Sequence, residues 1–254
     1  MNTAESYDRL ADHYDLIFDD WNAAIERQSE TLSSVLLQQS DIAPGSRILD
    51  CGCGIGTQAL GLANHGFRVS GFDISPNAIV RARQEASQRG LDIAFSVADM
   101  RELGAVAGDP FDAVICMDNV LPHLESEDDV RLAATQIHAR LARGGKFLAS
   151  IRDYDLLLAE KPVVQGPFFY SAGQSRRIVL QVWDWVDDRR YVFHLYITRR
   201  TGSTWETFHT SALYRAIRRD ELTALLNQSG YRNVNWLLPA QSGFYQPIIV
   251  AESC

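Results

Sequence analysis

Three glycines at alternate positions, Gly52, Gly54 and Gly56, follow Asp50 at the end of the short apolar run Arg47-Ile-Leu-Asp-Cys51. Glycines so placed let a backbone turn sharply and lie close to a ligand, and a helix start just beyond them offers unpaired N–H groups. The spacing predicts a strand-to-helix turn around a nucleotide-like ligand. Two more acids fall where later strands should end: Asp73, 23 positions after Asp50, and Asp99. A carboxylate at Asp73 can accept both hydroxyls of a ribose. One at Asp99 can take the amino proton of an adenine while the N–H of Met100 meets a ring nitrogen.

The glycines alone leave the ligand open. Gly54-Ile-Gly-Thr-Gln-Ala59 fits the G-x-G-x-x-A variant of a dinucleotide fingerprint, with Asp73 close to its ribose acid. Asp50 points the other way, because a carboxylate inside the turn repels a pyrophosphate and suits a cofactor that carries an ammonium group and no phosphates.

Elements able to hold these residues follow in order. Residues 5 to 39 read as two helices, the second with Ile25, Leu32, Val35 and Leu36 at helical spacing, ended by Asp41-Ile-Ala-Pro-Gly45. Helices ahead of the first strand suit a lid over a cofactor. Tyr14 and Trp21 can cap an adenine or a sulfonium and Arg27 can meet a carboxylate, whereas Tyr7 reads as helix packing. Beyond the glycine turn come a helix from Thr57 to Asn64 and a strand at 67–73. Ser75-Pro76 then caps a helix running to Gln88. Strands at 93–97, 111–117 and 146–152 continue the alternation, with Ser126 and its three following acids as a helix cap. Five strands alternating with helices predict a parallel, doubly wound α/β sheet whose ligands lie at the carboxyl ends of the strands. Asn119 and His123, just past the fourth strand, are candidates to orient a substrate or the cofactor. The pattern then changes to β-rich stretches at 178–185, 191–198 and 204–217, joined through Asp187-Asp188-Arg189, which predicts an antiparallel insert over the substrate side. A helix capped by Asp220 and strands at 234–238 and 246–250 complete the chain.

Composition bounds the function. The 254 residues carry 24 Lys plus Arg against 32 Asp plus Glu, a net charge of −8, which disfavours a nucleic-acid partner. No run of about 18 apolar residues and no basic leader is present, and Cys51-x-Cys53 lacks the spacer of a redox or zinc pair, so a reduced, cytoplasmic protein without a metal is expected.

From about Tyr7 to its end the chain resembles class I S-adenosylmethionine-dependent methyltransferases, on the order Asp50-x-Gly52-x-Gly54-x-Gly56 and the strand-end acids Asp73 and Asp99. Within that family, Phe111-Asp-Ala-Val-Ile-Cys-Met-Asp-Asn119, Pro122-His-Leu124, Arg152-Asp-Tyr-Asp155 and Leu213-Tyr-Arg-Ala216 are similar to glycine and sarcosine N-methyltransferases. The resemblance implies a Rossmann-like seven-stranded sheet of order 3-2-1-4-5-7-6 with its last strand antiparallel, and a β insert after strand 5. It divides the chain into a helical lid (1–44), a cofactor-binding core (45–152), a substrate cap (160–217) and a C-terminal unit (218–254). It implies S-adenosylmethionine as cofactor, held by Tyr14, Trp21, Arg27, Asp50, Gly52, Cys53, Gly54, Asp73, Ile74, Asp99, Met100, Met117 and Asn119. Arg152 would grip a substrate carboxylate, with Asp153 standing where the family has asparagine, and Tyr14, Asn119 and Tyr170 would orient the acceptor.

The expected reaction is in-line transfer of a methyl group to a small-molecule amine, governed mainly by alignment of the two reactants. A phenol or carbon acceptor would need a placed base such as His123, the mark of an O-methyltransferase. A non-catalytic cofactor-binding protein and a dinucleotide oxidoreductase are the other readings. The expected partner is the acceptor alone, with neither nucleic acid nor membrane, and self-association into a homo-oligomer stays open.

Overall fold

The computed structural model describes residues 3–40, 42–105, 110–172 and 175–254; Met1, Asn2 and the break at Asp41 lie outside the described residues. The chain opens with α1 (Thr3–Leu10), a 3-10 stretch (Ala11–Ile17) and α2 (Trp21–Ser40). An alternating run follows: β1 (Arg47–Cys51), α3 (Thr57–Asn64), β2 (Arg68–Asp73), α4 (Pro76–Gln88), β3 (Ala94–Val97), β4 (Phe111–Cys116), α5 (Glu127–His138), β5 (Leu141–Ser150) and α6 (Tyr154–Glu160). Four long strands come next, β6 (Val164–Ala172), β7 (Ser175–Trp185), β8 (Arg190–Thr201) and β9 (Thr204–Arg215). The chain ends with α7 (Arg219–Gln228), β10 (Tyr231–Leu237), α8 (Pro239–Ser242) and β11 (Ile248–Ser253).

Seven strands form one sheet in the order β10-β11-β5-β4-β1-β2-β3. Strands β1 to β5 pair in parallel, while β11 runs antiparallel to both β5 and β10. This is the expected order, with β10 and β11 as the sixth and seventh strands. β1 and β4 lie inside it because both their faces are apolar: Ile48, Leu49, Val114 and Ile115 are fully buried. Their side chains alternate between two cores, Leu49 and Val114 facing α5 and α7, Ile48 and Ile115 facing α2, α3 and α4. Gly61 lets α2 and α3 touch, since a Cβ there would sit 2.4 Å from the Cβ of Ser29.

The second sheet is antiparallel, ordered β6-β7-β8-β9. It has one strand more than the sequence pattern suggested, and α6 precedes it; β6, with its exposed apolar residues, lacks the alternation of a half-buried strand. Tyr191, Trp183 and Tyr214 on its inner face stack toward Tyr154 of α6. Its other end covers the N-terminal segment: Arg177 donates to the carbonyls of Leu16, Phe18 and Asp19, and the Ser6 hydroxyl to Ser211 O at 2.6 Å. Ser75 caps α4 by accepting from Ala78 N and donates to the Asp8 carboxylate at 2.5 Å, pinning α1 to the start of that helix. The cap expected at Asp220 is corrected, because α7 begins one residue earlier, with Arg218 at the cap position and Asp220 inside the first turn. Among the described residues no helix is long and apolar enough to cross a membrane. The four cysteines are unpaired.

Candidate active site

The glycine turn leaves the end of β1 with left-handed backbone at all three positions, φ 73° at Gly52, 54° at Gly54 and 98° at Gly56. Gly52 is the tightest, since a Cβ there would lie 2.6 Å from a Val120 methyl, whereas a Cβ on Gly54 would meet open space. Asp73, at the end of β2, ties the turn in place by accepting from Gly54 N and Ser75 N, both at 2.9 Å. Asp50 is buried beneath, and its Oδ2 has no partner among the described residues. Burial pushes its pKa up to about 8, with the charges of Asp118 and Asp73 adding to the shift and the Ala59 backbone opposing it. Desolvation likewise raises Asp73 and Asp118. Three clustered carboxyl groups, two of which raise the third, form a surface hostile to phosphate and in want of a cation.

Two cavities lie near this turn and share Tyr7 as a lining residue. One, of about 410 Å³, is lined by Gly52, Asp73, Ile74, Asp99, Met100 and Val120, with Tyr7 and His123 at its inner end. Its Asp99 is held by Arg101, whose Nη2 lies 2.6 Å from Oδ2 and whose Nη1 reaches Asp129 at 3.1 Å. That pairing, with the Arg101 side chain and backbone both donating to the carboxylate, keeps Asp99 ionised and below its usual range.

The other cavity, of about 1010 Å³, is bounded by the N-terminal helices, α6, the second sheet and the β10–β11 loop, and both Tyr14 and Arg27 line it. At its floor Asp118 and Asn119 follow β4 with φ 58° and 68°, conformations that cost a non-glycine residue about 1–2 kcal/mol each. Hydrogen bonds hold them there: Asp118 N donates to Ser150 Oγ, Asn119 N to Ser150 O, and Arg152 N to Asn119 Oδ1. The Asp118 carboxylate accepts from Gln58 Nε2 at 2.7 Å and Tyr245 OH at 2.6 Å. Arg152, just past β5, lies in an aromatic box, its guanidinium carbon 4.6 Å from the Trp183 ring, 5.0 Å from Phe193 and 5.4 Å from Tyr214. Its Nη1 donates to Tyr191 OH at 2.8 Å, and no carboxylate of the described residues pairs with it.

Residues 48–145 match a family model described as methyltransferase domain. A glycine/sarcosine N-methyltransferase of Parasynechococcus marenigrum is 34% identical over 61% of this chain and 53% of its own length, so the match spans about half of that relative. A second glycine/sarcosine N-methyltransferase, from Aphanothece halophytica, is 24% identical over 89% of this chain and 80% of its own. In fold, the chain superposes with a TM-score of 0.72 on CalS10 of Micromonospora echinaspora bound to S-adenosylmethionine, an amino pentose methyltransferase, at 19% identity over 91% of this chain and 92% of that one. The family-model match and these relatives support reading the chain as a class I S-adenosylmethionine-dependent methyltransferase, whose fold it shares.

In this chain, Tyr14, Arg27, Asn119, Arg152 and Tyr170 come together on the large cavity, and Gly52, Asp73, Ile74, Asp99 and Met100 on the small one, while Asp50 and Gly54 line neither. Four expectations need correction. Trp21 faces neither cavity; its indole N–H donates to Thr57 Oγ1 at 2.9 Å and Arg89 lies over its ring, so it clamps α2 to α3 and α4. Met117 shares the face of Ile115 and is buried in the α2–α4 core. Cys53 spends its N–H on Phe72 O, and its sulfur lies against Gly71. His123 is absent from the large cavity; burial and then Arg152 push its pKa down to about 3, and its Nε2 is 2.8 Å from Tyr7 OH. A neutral imidazole there orients Tyr7 instead of serving as a base for a substrate. Tyr7, read from the sequence as helix packing, lines both cavities, and Asp118, which the sequence reading did not single out, has a carboxyl that shares the Asp50 surroundings. The signal for Asp118 was its place in the same strand-end segment as Asn119.

Proposed function

We propose that this chain transfers the methyl group of S-adenosylmethionine to a primary or secondary amine of a small molecule that also carries a carboxylate. One observation carries the reading. Arg152 is a half-buried guanidinium without a carboxylate partner among the described residues, on a cavity whose lining also includes the Asp118 carboxylate. A cation desolvated in this way is stabilised by a bidentate anionic ligand. The two relatives named above as glycine/sarcosine N-methyltransferases are in keeping with it.

The residues present fit the cofactor. Asp50, with its unpartnered buried oxygen, and Asp118 would face its cationic end, Asp73 its ribose and Asp99 with Met100 its adenine, while Gly54 leaves room for approach. When bound, the cofactor supplies an electrophilic methyl on a sulfonium, which the amine lone pair displaces from sulfur as the N–C bond forms. The protein's part is alignment. Arg152 fixes the carboxylate end of the acceptor, and Asn119 and Tyr14 orient its amine. Tyr7, whose hydroxyl is held by His123 and Tyr214, lines both cavities. Tyr7 and Tyr14 stay protonated because burial raises both phenols, so they act as neutral hydrogen-bonding groups. The amine proton leaves to water, and no strong base is required.

O-methylation of a phenol is disfavoured, because the histidine that would act as base lies behind Tyr7. Incubating the full chain with methyl-labelled cofactor and paired amine and phenol acceptors tests the proposal. N-methyl products identified by mass support it; labelled O-methyl products without N-methyl products overturn it.

A further inference from the structure

Resting on the amine reading above, we infer that the preferred acceptor is not glycine but an amine with one carboxylate and a hydrophobic body at least the size of an aromatic amino-acid side chain. The first observation is space. The large cavity holds about 1010 Å³. At about 30 Å³ per water-sized group, the five non-hydrogen atoms of glycine fill on the order of 150 Å³ and the nine of the cofactor's amino-acid end on the order of 270 Å³. More than half of the cavity is left, in the size range of sites that enclose drug-sized ligands.

The second observation is chemistry. Beyond Arg152 the cavity wall carries Phe168 of β6, Val179 of β7, Leu195 of β8, and Leu156 and Leu157 of α6, interrupted by Glu160, Gln165 and Gln181. Phe168 is 41% and Leu156 60% exposed, so two large apolar side chains face this space with much of their surface uncovered. Uncovered apolar groups around a concave surface are what a hydrophobic ligand would bury. The arrangement gives the acceptor two ends: a carboxylate on Arg152 and a hydrophobic body on the wall formed by α6 and the second sheet. Each methylene buried there is worth about 0.8 kcal/mol, close to fourfold in kcat/KM.

The experiment measures kcat/KM of the full chain with S-adenosylmethionine for glycine, alanine, norvaline, phenylalanine and phenylalaninamide, with N-methyl product identified by mass. The expected result is a rise of at least tenfold from glycine to phenylalanine and a fall for the amide, which lacks the carboxylate. Phe168→Ala, at a partly exposed position on an edge strand, should shrink the phenylalanine-to-glycine ratio by at least threefold while the melting temperature stays put. Equal or better turnover of glycine would overturn the inference and leave the amine reading intact. Absence of N-methyl product from every amine would overturn both. An unchanged ratio in both Phe168→Ala and Leu156→Ala would also overturn the inference, since the wall would then bear no part of the substrate.

Discussion

Replacing Asp50 by asparagine should change how the protein binds its cofactor as a function of pH, and the structure gives the size of the effect. The Asp50 carboxyl is buried with its pKa pushed from the ordinary 3.8 up to about 8. At 1.4 kcal/mol per tenfold in proton affinity, ionising it in the cofactor-free protein costs roughly 6 kcal/mol at high pH. The sign follows from the direction of the shift. The folded cofactor-free protein holds this proton between about pH 4 and pH 8 while the unfolded chain has lost it, so stability falls as pH rises through that window. A bound sulfonium and ammonium reverse the balance by favouring the carboxylate, so binding expels the proton and affinity rises with pH up to about 8, by at most about tenfold per pH step for this one group. Titration calorimetry from pH 6 to 8.5, in buffers of different ionisation enthalpy, counts the protons released. Asp50→Asn, whose side-chain oxygen can still accept from Ala59, should release fewer protons, show a flatter affinity profile, and lose less stability between pH 5 and 8 without cofactor. S-adenosylhomocysteine, which lacks the sulfonium charge, should give a weaker pH dependence than S-adenosylmethionine. Equal proton release and equal affinity slopes for wild type and Asp50→Asn would refute the reasoning.

Arg152→Met keeps the bulk inside the aromatic box and removes the charge. KM for a carboxylate-bearing acceptor should rise roughly 30- to 150-fold, the equivalent of about 2–3 kcal/mol, with the cofactor Kd changed less than threefold, as read by steady-state kinetics and calorimetry. The two glycines should part company. Gly52→Ala drives a Cβ to 2.6 Å from Val120 and should lower Tm by roughly 3–10 °C, whereas Gly54→Ala, whose Cβ meets open space, should cost only about 1 kcal/mol of stability and weaken cofactor binding at least tenfold. Arg177→Met removes the donor to Leu16, Phe18 and Asp19. Limited proteolysis around residues 16–20 should then become faster, and cofactor should no longer protect that segment as it does in wild type.

The cofactor half of the site was legible because its constraints are local. A glycine at φ 73° packed on Val120 must be glycine, an acid at the end of β2 lies beside the turn in any such sheet, and both signals are contiguous in the chain. Spacing alone was therefore enough to put Asp50, Asp73 and Asp99 at or just beyond strand ends beside the turn. Trp21 and Met117 were misread for a common reason: residue type and nearness to the site say nothing of which face a side chain takes. Met117 points to the α2–α4 core by the simple alternation of β4, and Trp21 turns toward Thr57 by the helical period of α2. Tyr7 escaped because its role depends on contacts with His123 and Tyr214, 116 and 207 residues away. The fourth strand of the second sheet was missed because β6 carries exposed Val164, Phe168 and Phe169 in place of an alternating pattern.

The Asp118–Asn119 turn explains why the two halves of the site work as one. Two successive non-glycine residues with φ near +60° are retained at a cost of about 1–2 kcal/mol each. The strain aims the Asp118 carboxylate toward Gln58 of α3 and Asn119 Oδ1 toward the backbone of Arg152. A single dipeptide thus adds a third acid to the group around the glycine turn and fixes the start of the segment that carries the guanidinium. Relaxing it to ordinary helical or extended backbone would separate the carboxylates from Arg152 and leave two binding sites without a common geometry. On this argument Asn119→Gly, which relieves the strain, loses the side-chain acceptor for Arg152 N and should lower kcat more than it changes Tm, because transfer between two aligned reactants is sensitive to displacements that stability barely registers.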